Sequence, residues 1–486
     1  MLGTQLAVLR DGTPTGLTDA LDLVAGLDDA LVRGLARVGE EDAAALAALA
    51  GALATTPLGD RVAEAAGKVT AGSVVEEHLV ALAGARCALL GAAHDALLGQ
   101  LDTALGRARA TSTPPATTVA SSGTGEPPGD GSAARAAARA WLHEVAVTGW
   151  GGVDHELVAA ASSPIEAALA EPGLRRLAVL LDGLAAELRA CVPVATMTQP
   201  PVRRWADLWA RGVLLARAAP AAVAPAAVAP AAVAPAAVEE VSGRLLVLGV
   251  DVHEHDTAVQ AQLHAILEPA DGGPPRLVRC AVGAVKVETI VGPALWRLLD
   301  DHPVLLAALA ERRCLTVTGL PLHGADLLWH DDRVRLGEPV DPFATARVLL
   351  PTAVAAASAP LDRHPVGIAE PVLMEGYTVR DDDGATTFVL DGQPIAVAVD
   401  RLPSCGPLTP DLVAASSACL GLMRWDDGRW LLQPLAVRAT VKRRSADAHT
   451  GDWAAGVTDP KVAKAEARAG DAVAVLRERA GRLLRR

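Results

Sequence analysis

The spacing of apolar residues predicts a helical first half. After residue 73 the apolar positions recur at alternating intervals of three and four, which is the repeat of one helix face. Ser73 and Glu76 precede this run at the spacing of a capping box and predict that the helix begins at Ser73. The stretch EEDAAALAALAGALA, residues 40–54, predicts a second helix. The positions on the first helix face are Val80, Ala83, Cys87, Leu90, His94, Leu97, Leu101 and Ala104.

Two segments of linker composition divide the chain. Residues 111–133 are rich in Thr, Ser, Pro and Gly, as in a flexible linker, and separate helical regions predicted for 1–110 and 134–217. Residues 218–239, the Ala-Pro segment, contain the pentapeptide APAAV four times. A proline at every fifth position blocks helices and sheet ladders and favours an extended chain of roughly 60 Å. The segment is either a semi-rigid spacer between modules or a repeat expanded in a tolerant loop. Both interpretations predict a domain boundary.

The apolar pattern becomes that of β-strands after the Ala-Pro segment. Residues 243–252 and 258–269 are apolar runs on either side of a polar turn and predict two strands. Gly384 and Gly428 each follow an aspartate between two alternating runs, and Asp-Gly in that position is a strong hairpin signal. A short helix is predicted for residues 292–311.

These elements predict an α+β multidomain chain with a helical N-terminal half and a mostly antiparallel β C-terminal half. The β-rich domain is expected to cover residues 240–441 and to be a barrel or a sandwich. Residues 442–486 are expected to form a basic C-terminal tail whose helix begins near residue 459.

Composition narrows the classes of function. The formal net charge is −13, and an acidic surface repels phosphate backbones, which argues against nucleic-acid binding as the main activity. The six cysteines are scattered without a C-x-x-C pair and there is no secretory signal, so we expect buried, reduced thiols in a cytoplasmic protein. Outside the Ala-Pro segment no run of about 18 apolar, uncharged residues occurs, and we expect no membrane span.

Short catalytic motifs are absent from the sequence. It contains no P-loop, since Gly67 and Lys68 are followed by Val and no glycine stands at the required distance upstream. G-x-G-x-x-G, G-x-S-x-G, H-E-x-x-H, the EF-hand loop and the kinase motifs are also missing. These absences favour a protein that is not an enzyme, although an active site assembled from distant residues would leave no such pattern.

The stretch DVHEHD, residues 251–256, is the strongest candidate for chemistry. His253 and His255 would share one strand face. With His323 and His330 they could form a histidine-rich site of the kind that zinc or iron occupies. The other interpretation is a charged hairpin turn and a solvated strand end. We therefore predict no cofactor and keep zinc as the alternative.

A second candidate site is the stretch PVRRWADLW. Trp205 and Trp209 are four residues apart, on one helix face, and Arg203 and Arg204 stand beside them. Tryptophan and arginine are the residues that anchor interfaces, so this face is a candidate for protein interaction. The other interpretation is that the two tryptophans pack in the core.

The basic end of the chain is a third candidate. The last ten residues, RERAGRLLRR, end in Arg485 and Arg486. Such a helix could dock on an acidic partner or on nucleic acid. It could equally fold back on its own acidic protein, and cations near a helix C-terminus also suit the helix dipole.

Two stretches of the β-rich half, GLPLHGADLLWHDDRVRLGEPVDPF at 319–343 and WDDGRWLLQPLAV at 425–437, resemble uncharacterised actinobacterial proteins. Those proteins belong to the neighbourhood of SWIM zinc-finger proteins, MoxR-type AAA+ ATPases and von Willebrand A domain proteins. The SWIM zinc-ligand pattern and the ATPase loop are missing from this sequence. The resemblance implies a non-catalytic partner in a multi-protein assembly that includes an AAA+ ATPase system.

The sequence supports three hypotheses. The first, which we favour, is a cytoplasmic scaffold or interaction protein whose two halves are joined by the Ala-Pro segment. The second is a metal-assisted hydrolase whose histidines converge in the β-rich domain. The third is a nucleic-acid binder that works through the basic tail.

Overall fold

The fold class predicted from the sequence is confirmed. The computed structural model describes residues 1–10, 12–109, 131–217, 238–382, 384–441, 443–469, 473–475 and 478. They form a helical N-terminal half and a C-terminal half of antiparallel and mixed sheets with a C-terminal helix. Nearly all of the predicted flexible linker and of the Ala-Pro segment lies outside the described residues.

The described part of the first half contains ten α-helices that form one bundle. Helices on both sides of residues 110–130 share a single apolar core, so the two predicted helical regions are one unit. Trp209 donates its Nε1–H to the carbonyl oxygen of Leu142 at 3.0 Å and so links the last of these helices to the sixth. Their bounds are α1 Gly3–Arg10, α2 Leu17–Arg33, α3 Glu40–Leu53, α4 Gly59–Thr70, α5 Glu76–Leu105, α6 Ser132–Thr148, α7 His155–Ala159, α8 Ser162–Ala170, α9 Arg175–Cys191 and α10 Val202–Arg217.

Helix α5 is the longest of these and passes through the bundle core. The predicted start at Ser73 is wrong, because α5 begins at Glu76 after the extended residue Val75, and no side chain caps it. Glu76 instead pairs with Arg139 of α6 at 2.8 Å. Among the described helices, α5 alone has the length and apolar content of a membrane span, and half of that stretch is buried inside the protein.

The second half contains fourteen described strands and four α-helices. The predicted hairpin at Gly428 is present, and Asp427 and Gly428 have φ of 48° and 73°, as its tight turn requires. The strands are β1 Val238–Glu254, β2 Ala258–Pro269, β3 Arg276–Val285, β4 Arg313–His323, β5 Asp326–Leu327, β6 Val334–Pro339, β7 Val354–Ala355, β8 Glu370–Glu375, β9 Thr378–Asp382, β10 Ala385–Leu390, β11 Gln393–Val397, β12 Ser416–Asp426, β13 Arg429–Val441 and β14 Arg444–His449. The helices are α11 Pro303–Glu311, α12 Pro342–Leu349, α13 Pro410–Ala414 and α14 Pro460–Ala469.

The first sheet closes into a small barrel, which decides between the barrel and the sandwich for this part of the chain. Strand β1 pairs with β2 and β4, and the two-residue β5 joins β3 to β4. The register of β1 shifts beside Gly243 and Gly249, and these bulges bend the strand around the barrel. Glycine is required at position 243, because a Cβ there would lie 2.2 Å from the carbonyl oxygen of Glu268.

The second sheet is open, in the order β8-β12-β13-β11-β10-β9, and β14 pairs with β13 beyond the predicted end of the β-rich domain at 441. One face packs on the barrel, where Leu420 and Ala436 share a core with Leu248 and Ile266. The other face packs on α1 and α5, where Leu97 joins a core of sheet residues. The two halves of the chain therefore pack together, with the second sheet between the bundle and the barrel.

Candidate functional site

A polar cluster is buried where the second sheet packs on the barrel. Asp251 projects from the outer face of β1, because its neighbour Val250 belongs to the barrel core. Its Oδ2 accepts a hydrogen bond from Nη2 of Arg424 on β12 at 2.5 Å, and its Oδ1 accepts one from Nε2 of Gln433 on β13 at 2.8 Å. Nε of Arg424 donates to Oε1 of Gln433. These three buried side chains are here called the seam cluster.

His253 extends the seam cluster toward the surface. It lies two residues after Asp251 on the same face of β1, and its Nε2 is 3.0 Å from Oδ2 of Asp251. The His253 side chain is 42% exposed, whereas that of Asp251 is 3% exposed. A buried carboxylate therefore orients a half-exposed imidazole.

Burial and charge act in opposite directions on Asp251. Burial by itself would raise the pKa of this carboxyl, but the hydrogen bond with His253 and the positive charge of Arg424 hold the pKa well below its usual range. Asp251 is therefore ionised, and Arg424 compensates its charge. The fully enclosed His264 of β2 lies within the field of these groups, and burial lowers its pKa to about 3, so its imidazole is neutral.

The contacts of the seam cluster indicate a structural role. A carboxylate that orients a histidine is the arrangement by which hydrolases activate a nucleophile. Here the same carboxylate also accepts hydrogen bonds from a guanidinium and an amide of the second sheet. The network fixes the sheet on the barrel, since any other packing of the two would bury the Asp251 charge without its partner.

A second ionic cluster lies between the helical bundle and the second sheet. Glu370 at the start of β8 pairs with Arg109 at 3.0 Å and with Arg107 at 3.3 Å, and both arginines follow the end of α5. Arg109 also pairs with Asp102 of α5 at 2.8 Å. Arg107 and Glu370 are buried. This cluster holds the end of α5 against the sheet, as the seam cluster holds the sheet against the barrel.

Two small cavities lie where the packed units meet. The first, of about 40 Å³, lies where bundle, barrel and second sheet meet, and its lining includes Arg109, His264 and Glu370. The second, of about 20 Å³, has His449 in its lining. One water needs roughly 10–15 Å³, so each cavity has room for a few waters at most. Pockets for small molecules measure hundreds of Å³, so neither cavity accommodates a metabolite.

The structure does not bring the four histidines of the predicted metal site together. His253 is near the end of β1, whereas His323 pairs with Val238 at the start of β1, fifteen residues earlier (253 − 238). His255 lies in the turn after β1 and His330 in the loop before β6, and both are exposed. In the part of the chain that the structure describes, no three His, Cys, Asp or Glu side chains are grouped to hold a metal ion. The metal site stays a prediction without a preformed ligand set.

The structure contains a second histidine–carboxylate pair that the sequence does not signal. Nδ1 of His302, just before α11, is 2.9 Å from Oδ2 of Asp331, and the same oxygen accepts the Nε1–H of Trp329 at 2.9 Å. These contacts tie the loop after β5 to the start of α11. No spacing in the sequence signals the pair, because it joins residues of two different loops.

The two tryptophans of the candidate interaction face on α10 do not lie on the surface. Trp205 and Trp209 are both 0% exposed, within the bundle core. The ring of Trp205 packs edge-on against Trp150, with their centroids 5.7 Å apart. Arg203 and Arg204 are on the surface, where each joins α10 to a neighbouring helix. Core packing is the correct interpretation, because a large aromatic side chain gains most when its whole surface is buried.

In the described part of the basic tail, β14 pairs with β13 of the second sheet and α14 packs on the barrel. Glu466 of α14 is 3.6 Å from Arg297, and Val473 is buried in the barrel core. Arg485 and Arg486 lie outside the described residues. This packing agrees with a tail that folds back on its own protein, while the predicted role of the last arginines stays a prediction.

The six cysteines are free, and four of them are buried. Burial raises the pKa of Cys87, Cys280 and Cys405 to about 12. A thiol with such a pKa is protonated at neutral pH and is a poor nucleophile. These cysteines are core residues rather than reactive groups.

Comparison with known proteins assigns the chain to no family. No protein-family model matches it, and neither a curated protein nor a solved structure gives a significant match. Its function has to be inferred from the contacts described above.

Proposed function

We propose that the protein is a non-catalytic interaction or scaffold component of a cytosolic bacterial multi-protein assembly. The observation that carries this proposal is that the buried charged side chains form ion pairs between the packed layers of the protein. Arg424 and Asp251 link the second sheet to the barrel, while Arg107 and Glu370 link the bundle to the second sheet. Both sets hold layers together.

The size of the two cavities in the described part of the chain agrees with this proposal. A catalytic site needs a space in which a substrate contacts the reactive groups. The two cavities, of about 40 and about 20 Å³, are of water size. Burial raises the pKa of Cys280, which makes this thiol a poor nucleophile.

The packing of the two halves changes how a partner should be sought. Separating the helical half from the β-rich half would expose the face of the second sheet that packs on α1 and α5. Baits made from half-chains would then retain proteins nonspecifically on this apolar surface. The full chain is the correct bait.

The test is the size and composition of the native complex. The chain is tagged in its own cells, and the lysate is separated by size before affinity capture and mass spectrometry. We expect elution well above the 49.7 kDa of one chain, together with a partner in fixed ratio. An AAA+ ATPase system is the partner implied by the sequence resemblance.

A core variant of the same chain, Trp209→Ala, is the control for capture by unfolded protein. A protein that binds this variant more strongly than it binds the wild type recognises exposed apolar surface. Such a protein is not evidence for a native partner. Elution as a single chain at native concentration, with nothing retained in fixed ratio, would contradict the proposed function.

A further inference from the structure

The connection between β7 and β8 leaves the β-rich half and reaches into the helical bundle. Its residues 358–367 are here called the docking loop. Leu361 is 6% exposed and belongs to the apolar core of the bundle. Among the described residues, the other buried members of that core all precede residue 217. The docking loop therefore inserts one leucine from the β-rich half into the core of the helical half.

The charges beside Leu361 are complementary to those of the bundle. Oδ1 of Asp362 accepts hydrogen bonds from Nη2 of Arg176 on α9 at 2.7 Å and from Nη2 of Arg211 on α10 at 3.0 Å. Nη1 of Arg363 donates to Oδ2 of Asp95 on α5 at 2.9 Å. Asp362 of the loop therefore pairs with two arginines of the bundle, and Arg363 of the loop pairs with an aspartate of the bundle.

The bundle surface leaves space for the docking loop at Gly91. A Cβ added at Gly91 of α5 would lie 3.7 Å from the Cβ of Arg363, at ordinary contact distance. A side chain longer than alanine at position 91 would therefore occupy the place of the loop. One turn further along α5, Asp95 binds Arg363.

The docking loop is shaped by its own backbone contacts. Pro360 and Pro365 each begin a short 3-10 turn. The N–H of Asp362 donates to the carbonyl oxygen of Ala359 at 2.8 Å, and the N–H of Gly367 donates to that of His364 at 2.8 Å. A segment ordered by its own turns loses little entropy when it docks, which favours binding by a short peptide.

The loop is held more weakly than the halves are held to each other. Its anchors are the buried Leu361 and Pro365 and ion pairs that remain partly open to solvent, such as Asp362 with Arg176 at 43% and 44% exposure. Exposed ion pairs stabilise a contact only slightly and are screened by salt. The halves are joined elsewhere, by the apolar core between α5 and the second sheet. The loop can therefore leave the bundle while the halves stay together.

We propose that the bundle surface formed by Gly91, Asp95, Arg176 and Arg211 is a peptide-binding groove that the docking loop occupies as an internal ligand. The partner that fits this groove presents a turn with a leucine followed by an acidic and then a basic residue. The inference rests on the proposed function and names the kind of partner. A failure of peptide binding would not bear on whether the native complex exists, so the two proposals can be tested separately.

The test uses the full chain and a labelled peptide of residues 356–369. In one variant Leu361, Asp362 and Arg363 are all replaced by Ala, which empties the groove. By fluorescence anisotropy we expect this variant to bind the peptide at least tenfold more tightly than the wild type, whose own loop competes. The matched control is Val366→Ala, in the same loop at an exposed position, which should bind as weakly as the wild type.

The charge contacts are tested in the emptied variant. Replacing Arg176 and Arg211 by Gln there should weaken peptide binding at least tenfold, because the acid of the peptide loses both partners. A peptide carrying Asp362→Asn should bind the emptied variant similarly weakly. Equal binding by the emptied variant and the wild type, or no binding by either, would overturn the proposal.

A second measurement covers the case in which the emptied variant does not fold. In the wild-type loop, Arg176→Gln with Arg211→Gln should speed hydrogen exchange of the amides of Asp362 and Gly367 at least tenfold. The amides of β12 and β13 should keep their protection. Unchanged exchange in the loop, or exchange that rises equally in loop and sheet, would overturn the inference.

Discussion

Arg424 of the second sheet donates a hydrogen bond to Asp251 of the barrel at 2.5 Å, although 173 positions separate them in the sequence. Both side chains are buried, and Gln433 satisfies the second oxygen of the carboxylate. Since a buried charge without its partner is costly, this contact fixes how the two β units are placed.

Removing the guanidinium should be strongly destabilising. Arg424→Ala leaves the Asp251 charge buried without its partner, and we expect the free energy of unfolding to fall by about 3–5 kcal/mol. The control is Arg401→Ala, which breaks a half-exposed pair with Asp426 and should cost less than about 1 kcal/mol. Urea unfolding measures both. Equal losses would show that the seam cluster does not hold the sheet on the barrel.

His449 should make stability depend on pH. Burial, followed by the charge of Arg312, lowers its pKa to about 4. This pKa is below the unfolded value of about 6.5. The neutral His449 therefore makes its full contribution to the free energy of unfolding above pH 6.5. It is lost as the pH falls toward 4 and amounts to about 3 kcal/mol. Urea unfolding from pH 7 to 4.5 should therefore show a smaller loss for His449→Leu than for the wild type. The control is His255→Leu, at an exposed position. If the free energy of unfolding of His449→Leu fell with pH as steeply as that of the wild type, His449 would not be the source of the pH dependence.

Gly249 should be intolerant of a side chain because the second sheet approaches it closely. A Cβ at this position would lie 2.8 Å from the Cβ of Leu435. We expect Gly249→Ala to lower the free energy of unfolding by about 1–3 kcal/mol. Gly84→Ala, in α5 with no neighbour within 4 Å, should instead be neutral or stabilising by up to about 1 kcal/mol. Thermal unfolding distinguishes them, and a neutral Gly249→Ala would show that the sheet can move away from β1.

The full chain should contain no stoichiometric zinc or iron. His253 is near the end of β1, whereas His323 of β4 pairs with the first residue of β1, so the predicted ligands do not converge. Elemental analysis of the purified protein measures this directly, and His253→Ala with His255→Ala should remain folded. One equivalent of metal that disappears in this double variant, but persists in His302→Ala, would restore the hydrolase hypothesis.

The chain should not bind nucleic acid with a steep dependence on salt. Its net charge is −13, and the hypothesis depends on the last arginines of the tail. Deleting the whole tail is unsuitable, because β14 and Val473 are parts of the fold. Arg485→Gln with Arg486→Gln is the appropriate variant in a binding titration against salt. Tight binding that this variant loses would favour the third hypothesis over the scaffold.

The sequence by itself determined the local elements. The helix predicted for 40–54 is α3, and the strands predicted for 243–252 and 258–269 lie within β1 and β2. The turn at Gly428 was equally readable, because Asp-Gly supplies the positive φ that a tight hairpin needs. Periodicity and turn chemistry act within a few residues, so one stretch of chain contains the whole signal. The start of α5 was predicted less well, since Glu76 is bound by Arg139 of another helix.

Only the tertiary structure decided which faces are covered and which charges meet. Trp205 and Trp209 have the same pattern on an exposed face as in a core, and only the packing of the bundle shows that they are buried. Asp251 and Arg424 lie in segments far apart, and closure of the barrel by the two-residue β5 leaves almost no local pattern. These features depend on contacts between distant residues. The sequence pattern shows how apolar a helix or strand face is. Which element covers that face depends on how the whole chain packs.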